Sequence, residues 1–353
     1  MRLSRRAAVL GLLPAACAPR VQTAGTPALD FAGPRIEDGP QPAFVAADGT
    51  RLGLTIWPAA TPEPTAVVVG LHGMNDYAEA FTLAAPIWAA AGITTYAYDQ
   101  RGFGRSPQRG VWGGEALMVD DLRTFTRLLR ARHPGVTLAV VGESMGGAVA
   151  ISAFASERPP EADRLVLSAP AVWGWGDQPL LYRSTLWLGA HTIGGRSVSP
   201  PPFVQRRIIA SDNIEHLRRM GRDRNMIFRT RIDTIYGLVS LMQSARTKIG
   251  RMRAPPTLML YGANDDIIPA EPAHAAARSL PAGARTAYYA GGFHMLTRDL
   301  QGARVSADVA AFIRDPAGPL PSGAPPIPPD APKRPRGQPR PEGTSASAAA
   351  RGL

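Results

Sequence analysis

The sequence of 353 residues has a single cysteine, Cys17, only two lysines and few aromatic residues. One cysteine excludes an intramolecular disulfide and any cysteine-based zinc or iron–sulfur cluster. The apolar run near the N-terminus, residues 7–18, has twelve residues, too few to span a bilayer as a helix. Hydrophobic residues make up 45% of the chain and charged residues 19%. This balance supports a large core and excludes a wholly disordered chain.

The positive charge is unevenly distributed along the chain. The formal net charge is +11, and 37 of the 39 basic residues are arginine. Residues 1–17 and 316–353 each carry +3, whereas residues 196–253 carry +9. No nucleic-acid-binding module is apparent, and aromatic residues do not interleave with the basic run, so no nucleic-acid partner is predicted. The basic interval is either attracted to anionic lipid surfaces or forms a salt-paired helical face.

The N-terminal residues 1–17 have the pattern of a signal peptide, with basic residues before the short apolar run. Residues 4–10 also resemble a twin-arginine export motif. Cys17 follows a Leu-Pro-Ala-Ala segment, which resembles a bacterial lipoprotein cleavage box except that Pro14 occupies a usually aliphatic position. We therefore expect an exported protein of the bacterial cell envelope, anchored to a membrane by a lipid on Cys17. The alternative is an ordinary signal peptide with an incidental cysteine.

Composition and periodicity divide the remaining chain into five intervals. A linker rich in Pro, Gly and Thr comes first, and a Pro-rich tail with 11 of the 35 prolines, expected to be disordered, comes last. Between them lies a core in two parts, separated by an inserted segment. The intervals are linker 18–41, first core part 42–170, insertion 171–254, second core part 255–314 and tail 315–353.

The core intervals show strands alternating with helices. Apolar runs such as 66–71, 93–98 and 257–261 are typical of strands buried on both faces, and helical patterns separate most of them. This alternation predicts the α/β class, with a mainly parallel sheet flanked by helices. The alternation fails over 171–254, which is too long for a structureless loop in a compact domain. We expect a helical cap inserted over one end of the sheet.

A candidate nucleophile, Ser144, lies between Gly142 and Gly146 in the sequence Gly-Glu-Ser-Met-Gly. The motif follows a predicted buried strand and precedes a helix rich in small residues. This context is typical of a nucleophile elbow, where a sharp, strained turn needs glycines on both sides of the serine. The turn exposes the hydroxyl at a helix N-terminus, where the helix dipole favours negative charge.

A nucleophilic serine needs a base, and the base needs an orienting acid. Of the six histidines, His294 follows a predicted strand and precedes the last helix, so it can reach the same edge of the sheet as Ser144. The acid is expected between the serine and the histidine in the chain. Two adjacent aspartates, Asp265 and Asp266, follow the strand predicted at 257–261, and the residues alone leave both open.

Hydrolysis through a tetrahedral intermediate also needs donors for the oxyanion. The backbone N–H of Met145 directly follows the nucleophile. The second candidate is the N–H of Met74, in the loop after the strand at 66–71, where Gly73 permits close approach of the backbone. His72 is then expected to brace that loop rather than act as the base.

Together these segments resemble the α/β-hydrolase superfamily, and within it the monoacylglycerol lipase and lysophospholipase-like branch. The matching segments, in family order, are 71–74, 98–106, 142–147, 262–269 and 293–296. The resemblance implies an α/β-hydrolase fold, with Ser144 as nucleophile, Asp265 rather than Asp266 as acid, and His294 as base. It also implies ester hydrolysis in two steps through an acyl-enzyme, without a metal or cofactor.

The predicted function is hydrolysis of carboxylic esters of small acyl lipids, either a monoacylglycerol or a lysophospholipid. Membrane association through Cys17 and the basic cap is also expected, while the sequence makes no prediction of oligomeric state. Two alternatives stay open. One is a serine aminopeptidase of the same fold, although the cap has few acids to bind an amino terminus. The other is a catalytically silent binding protein of the envelope.

Overall fold

The structure, a computed structural model, describes residues 18–201 and 208–331. Cys17, the rest of the predicted signal peptide and residues 332–353 lie outside the described residues. The strands are β1 (Arg35–Glu37), β2 (Ala43–Val45), β3 (Arg51–Trp57), β4 (Ala66–Leu71), β5 (Ile93–Tyr98), β6 (Thr137–Glu143), β7 (Arg164–Ser168), β8 (Ser197–Val198), β9 (Thr230–Arg231), β10 (Thr257–Gly262) and β11 (Arg285–Tyr289).

The α-helices of the described residues lie between these strands and after the last of them. They are α1 (Ala85–Ala90), α2 (Glu115–Arg132), α3 (Met145–Phe154), α4 (Leu180–Ile193), α5 (Ile214–Met220), α6 (Ile232–Lys248), α7 (Ala270–Arg278) and α8 (Gly302–Arg314). Three short 3₁₀ helices occupy Ala78–Phe81, Trp175–Asp177 and Ile249–Arg251.

Within residues 18–201 and 208–331, nine strands form one sheet in the order β1-β2-β3-β5-β4-β6-β7-β10-β11. The first four strands in that order pair antiparallel. The pairs that join β5, β4, β6, β7, β10 and β11 in succession are parallel. The predicted mainly parallel sheet is therefore confirmed. The chain runs from β4 outward to β5 and then returns to β6 on the other side of β4. Loops leaving β4 and β6 diverge at this switch point, where open α/β sheets bind their ligands.

Helices cover both faces of the sheet, and the strand sequences reflect this. Every residue of β4 is buried. Val67 and Val69 belong to one apolar cluster, whereas Ala66 and Val68 belong to a second cluster on the opposite face. A strand with two buried faces needs apolar side chains at successive positions, which is why β4 is a continuous apolar run.

Between β7 and β10 the chain forms α4, α5, α6 and the two-stranded ribbon of β8 and β9. In this cap, α6 packs against both α3 and α4. Trp173 and Trp175 pack against the core, but α4 presents apolar side chains to solvent. Trp187 is 53% exposed and Leu181 is 77% exposed. The apolar stretch of the cap is thus divided between core packing and an uncovered surface.

The predicted linker is incorrect over much of its length, because the segment is attached to the fold. β1 pairs antiparallel with β2. Farther upstream, the backbone N–H of Gln22 donates to the Trp112 carbonyl at 2.8 Å, and its side-chain amide donates to the Val111 carbonyl at 2.8 Å. Composition does not predict these contacts. A segment that attaches through backbone hydrogen bonds needs few apolar residues of its own.

The first half of the predicted disordered tail is also packed. Residues 316–331 run beside the edge strand β11, with Leu320 and Ile327 buried. The N–H of Tyr288 donates to the Pro325 carbonyl at 2.7 Å, and the N–H of Ile327 donates to the Thr286 hydroxyl at 2.9 Å. Prolines lack an N–H but keep their carbonyls, which can accept hydrogen bonds from an unpaired strand edge.

Candidate active site

Ser144 occupies a strained turn between β6, which ends at Glu143, and α3, which begins at Met145. Its backbone has φ of 52° and ψ of −114°, a region that residues other than glycine seldom occupy. A Cβ at Gly146 would lie 2.1 Å from the Leu71 carbonyl oxygen, and one at Gly142 would lie 2.7 Å from the Gly146 backbone. Both glycines are therefore needed for β4, β6 and α3 to approach this closely.

The backbone of Ser144 is held on both sides. Its N–H donates to the Ser168 carbonyl at the end of β7, at 3.0 Å, and its carbonyl accepts from the N–H of Ala171 at 2.9 Å. Met145 starts α3 and is fully buried. The unpaired N–H groups at the start of a helix are available to an anion beside Ser144.

Asp265 and His294 are in direct contact. Nδ1 of His294 donates to Oδ2 of Asp265 at 2.8 Å, and both side chains are buried. The other carboxylate oxygen of Asp265 accepts from the N–H groups of Ile267 and Ile268, at 2.8 and 2.9 Å. By contrast, Asp266 accepts from the N–H of Ile209 in the cap at 3.3 Å. The carboxylate of Asp265 is thus fixed from one side and directed at the imidazole on the other.

Burial and neighbouring charges shift the pKa of His294. Burial lowers the pKa of His294, but the charge and hydrogen bond of Asp265 raise it, and Glu143 adds to the rise. The net pKa lies above the ordinary value of 6.5. Because the hydrogen bond to Asp265 uses Nδ1–H, the neutral ring keeps its lone pair on Nε2, as a general base requires.

The loop after β4 is braced by His72. The N–H of Gln100 donates to His72 Nε2 at 2.8 Å, so the proton is on Nδ1, which donates to the Gly73 carbonyl at 2.7 Å. Burial lowers the pKa of His72 below its ordinary value, which favours the neutral ring. His72 therefore supports the loop that carries Met74, and a Cβ at Gly73 would lie 3.3 Å from the Cβ of Ser144.

A buried charge cluster that the sequence does not predict lies beside Ser144. The guanidinium of Arg298 bonds both Asp76, at 2.6 Å, and Glu143, and all three side chains are almost fully buried. Asp76 lies in the loop after β4, Glu143 precedes Ser144, and Arg298 follows His294 by four residues. Charged residues usually lie at the surface, so their sequence pattern carried no signal of this cluster.

The predicted site residues thus fall on loops at the carboxyl ends of β4, β6, β10 and β11. Contacts join Asp265 to His294, and the loop of Met74 to the turn of Ser144. Arg298, four residues after His294 in the chain, bonds Asp76 in the Met74 loop and Glu143 beside Ser144. Cys17, the predicted lipid attachment residue, lies outside the described residues.

Residues 18–201 and 208–331 contain neither a candidate metal-binding group nor a helix suited to span a membrane. In these ranges no group of three His, Cys, Asp or Glu side chains has an arrangement that could hold a metal ion. In the same ranges no helix is both long and apolar enough to cross a membrane.

Comparison with known proteins identifies the family. Residues 62–301 match the protein family described as serine aminopeptidase, S33. The chain belongs to this S33 family. The match begins just before β4 and ends after Arg298, so it includes the turn at Ser144, the cap, Asp265 and His294.

Curated relatives of this S33 member include lipases. A monoacylglycerol lipase of Mycolicibacterium smegmatis is 30% identical over 236 residues, covering 64% of this chain and 79% of that protein. A monoglyceride lipase of Mus musculus is 26% identical over 272 residues, covering 73% and 84%. These relatives and the family match confirm the predicted branch of the α/β-hydrolases. The chain is a carboxylic ester hydrolase.

Solved structures show the same fold. The monoacylglycerol lipase of Paleococcus ferrophilus aligns with a TM-score of 0.62 and 21% identity, covering 74% of this chain and 98% of that one. A carboxyl esterase from Bacillus coagulans aligns with a TM-score of 0.65 and 18% identity, covering 80% and 99%. The predicted α/β-hydrolase fold is confirmed.

Proposed function

We propose that this S33 protein is a serine esterase acting on small acyl lipids, either a monoacylglycerol or a lysophospholipid. Ser144 is the nucleophile, His294 the general base and Asp265 the acid that orients it. The N–H groups of Met74 and Met145 are the oxyanion donors. The observation that carries the proposal is the buried 2.8 Å hydrogen bond from His294 to Asp265, since it leaves Nε2 as the basic atom.

In the first step, Ser144 Oγ attacks the ester carbonyl carbon as His294 Nε2 takes the hydroxyl proton. The carbonyl oxygen becomes an oxyanion, stabilised by the two backbone N–H donors and the N-terminus of α3. The intermediate then collapses and its C–O bond to the glycerol moiety breaks. Nε2 returns the proton to the departing alkoxide, and the acyl group stays on Ser144.

In the second step, water replaces the alcohol. Nε2 of His294 takes a proton from the water as its oxygen attacks the acyl carbon, and a second oxyanion forms at the same donors. Collapse releases the fatty acid and returns the proton to Ser144 Oγ. Asp265 stays ionised throughout and stabilises the imidazolium that forms in each step.

An acyl-lipid substrate is supported by the cap and by the relatives. The curated relatives are named as monoacylglycerol and monoglyceride lipases. On α4, Leu180, Leu181, Trp187 and Leu188 form an exposed apolar surface. Exposed apolar surface of this kind is typical of sites that contact lipid.

Aminopeptidase activity is less well supported by the residues around Ser144. Such an enzyme needs an acidic group to bind the amino terminus of its substrate. The buried acids beside Ser144, Glu143 and Asp76, are both ion-paired with Arg298. Parallel assays with aminoacyl-naphthylamides and acyl esters separate the two activities, and preferential cleavage of the amides contradicts the esterase proposal.

The primary test uses purified protein and the variant Ser144→Ala. The wild type should hydrolyse short p-nitrophenyl esters and react covalently with a fluorophosphonate probe, and the variant should do neither while keeping its thermal midpoint. Retained turnover in the variant rules out Ser144 as the nucleophile. Monoacylglycerols and lysophospholipids of increasing acyl length then define the head group and chain that give the highest kcat/KM.

We also propose that the protein is exported and attached to a membrane of the bacterial envelope through lipidated Cys17. The exposed surface of α4 and the net charge of +9 over residues 196–253 suit contact with an anionic bilayer. Cys17→Ser should move the protein from the membrane fraction to the soluble fraction. Unchanged membrane partitioning of the variant rejects the anchor.

A further inference from the structure

Arg298 connects the loops that carry the proposed catalytic groups. Its side chain is 1% exposed, so the guanidinium is removed from solvent. Nη1 donates to Asp76 Oδ2 at 2.6 Å, and Nη2 donates to Glu143 Oε1. These partners are 222 and 155 residues away in the chain. One side chain therefore ties the loop after β4 to the end of β6.

Each carboxylate is close in sequence to a proposed oxyanion donor. Glu143 is two residues before Met145, and Asp76 is two residues after Met74. Asp76 also shapes its own loop, because its side chain accepts from the N–H of Tyr77 at 2.8 Å. The spacing of the two donors depends on how closely these segments approach each other. The guanidinium is hydrogen-bonded to both segments.

The Met74 loop and the turn at Ser144 lie close together. A Cβ at Gly73 would lie 3.3 Å from the Cβ of Ser144 and 3.5 Å from Oε1 of Glu143, the oxygen that Arg298 binds. A donor must lie within about 3 Å of the developing oxyanion to stabilise it. A small separation of the segments would therefore lengthen the proposed hydrogen bond from the Met74 N–H, without moving the exposed apolar surface of α4.

Charge explains why an arginine occupies this position. Burial raises the pKa of Glu143, and the neighbouring carboxylate of Asp76 adds to the rise. Burial opposes ionisation of Arg298 as well, but the two carboxylates keep its pKa above its ordinary value. The planar guanidinium can donate to both acids at once with separate nitrogens, whereas a lysine ammonium has a single nitrogen.

We propose that Arg298 is a positioning residue for the oxyanion hole, holding the Met74 loop against the nucleophile turn at the spacing that the tetrahedral intermediate requires. This inference rests on the proposed esterase function. In this role Arg298 does not contact the substrate. Its removal should therefore weaken the transition state more than the ground state, lowering kcat with little change in KM.

Arg101 offers a matched control. It is also a buried arginine held between two carboxylates, with Asp121 at 2.6 Å and Asp48 at 2.8 Å. Neither of those acids lies in the Met74 loop or at the nucleophile turn. Substitution of Arg101 therefore also removes a buried arginine that pairs with two carboxylates, but it leaves the contacts of Arg298 unchanged.

The test measures kcat and KM for p-nitrophenyl butyrate in Arg298→Met, Arg298→Lys, Arg101→Met and Arg101→Lys. Loss of one oxyanion donor lowers kcat by about 10²- to 10³-fold, and we expect a fall of this size in R298M. KM should stay within about threefold, and R298K should recover part of kcat. Binding of a trifluoromethyl ketone transition-state analogue should weaken in parallel. Both Arg101 variants should keep kcat within about threefold of the wild type.

Wild-type kcat in folded R298M overturns the inference, and so does an equal loss of kcat in R101M. If R298M does not fold, Asp76→Asn and Glu143→Gln replace it, since each weakens one of the two ties. We expect each to lower kcat by about tenfold, and wild-type kcat in both overturns the inference. The proposed function is judged separately by fluorophosphonate labelling. Labelling that is lost in Ser144→Ala supports the esterase even where the Arg298 inference fails.

Discussion

The buried carboxylate of Asp265 accepts a 2.8 Å hydrogen bond from Nδ1 of His294, while the adjacent Asp266 accepts from a backbone N–H of the cap. Two aspartates that are neighbours in sequence thus have different partners. Consecutive side chains of a turn point in different directions, so only one of the two can meet the imidazole.

The first prediction separates these aspartates. Asp265→Asn should lower kcat for p-nitrophenyl esters by about 10⁴-fold, because an amide no longer holds the tautomer with a basic Nε2. Asp266→Asn is the matched control and should change kcat by less than about threefold. Steady-state kinetics at pH 8 measures both. A larger loss in the Asp266 variant contradicts the assignment of Asp265.

The second prediction concerns pH. The pKa of His294 lies above 6.5, and only the neutral ring accepts a proton from Ser144. The value of kcat/KM should therefore fall as the pH drops through that pKa, with a midpoint above pH 6.5. Asp299, whose pKa burial raises to about 7, titrates in the same range. The fall of kcat/KM at low pH should persist in Asp299→Asn. If that fall disappears in this variant, the titrating group is Asp299.

The third prediction concerns the nucleophile turn. Gly146→Ala places a methyl group 2.1 Å from the Leu71 carbonyl oxygen, so β4 and α3 must separate. We expect a loss of about 2 kcal/mol or more in the free energy of unfolding, together with loss of esterase activity. Gly176→Ala, whose methyl group would have its nearest neighbour at 3.8 Å, should change neither. Urea denaturation provides the comparison, and equal stability of the two variants argues against the turn geometry.

The fourth prediction concerns the exposed apolar surface of α4. Leu188→Ser should reduce hydrolysis of monoacylglycerol in vesicles but leave hydrolysis of soluble p-nitrophenyl acetate unchanged, because only the first assay needs contact with lipid. Leu29→Ser is the control, since Leu29 is also exposed but lies outside the cap. Parallel losses in both assays indicate instead that Leu188 supports the active site.

The fifth prediction concerns residues 316–331. Truncation after Arg314 exposes the edge of β11 and removes the buried side chains of Leu320 and Ile327, so it should lower the thermal midpoint. Truncation after Ala331 keeps these contacts and should leave the midpoint unchanged. Differential scanning fluorimetry compares the two forms. Equal midpoints mean that the packed segment contributes no stability.

Much of the fold was predictable because its signals are local. A strand buried on two faces is a short apolar run, as in β4, and a nucleophile turn needs glycines close to the serine, as at Gly146. The packed segments at 18–41 and 316–331 were not predictable from composition. They attach through backbone groups, and those groups are the same in almost every residue.

The alternation of strands and helices, the turn at Ser144 and the order of serine, aspartate and histidine follow from the sequence alone. These depend on residues a few positions apart, whose steric limits and periodicity are independent of the rest of the molecule. Only the tertiary structure shows that Arg298 is buried between Asp76 and Glu143. It also brings Asp265 into contact with His294, where the residues alone left two aspartates open. Such contacts join segments up to 222 residues apart, and they form only where the folded sheet brings those segments together and removes them from water.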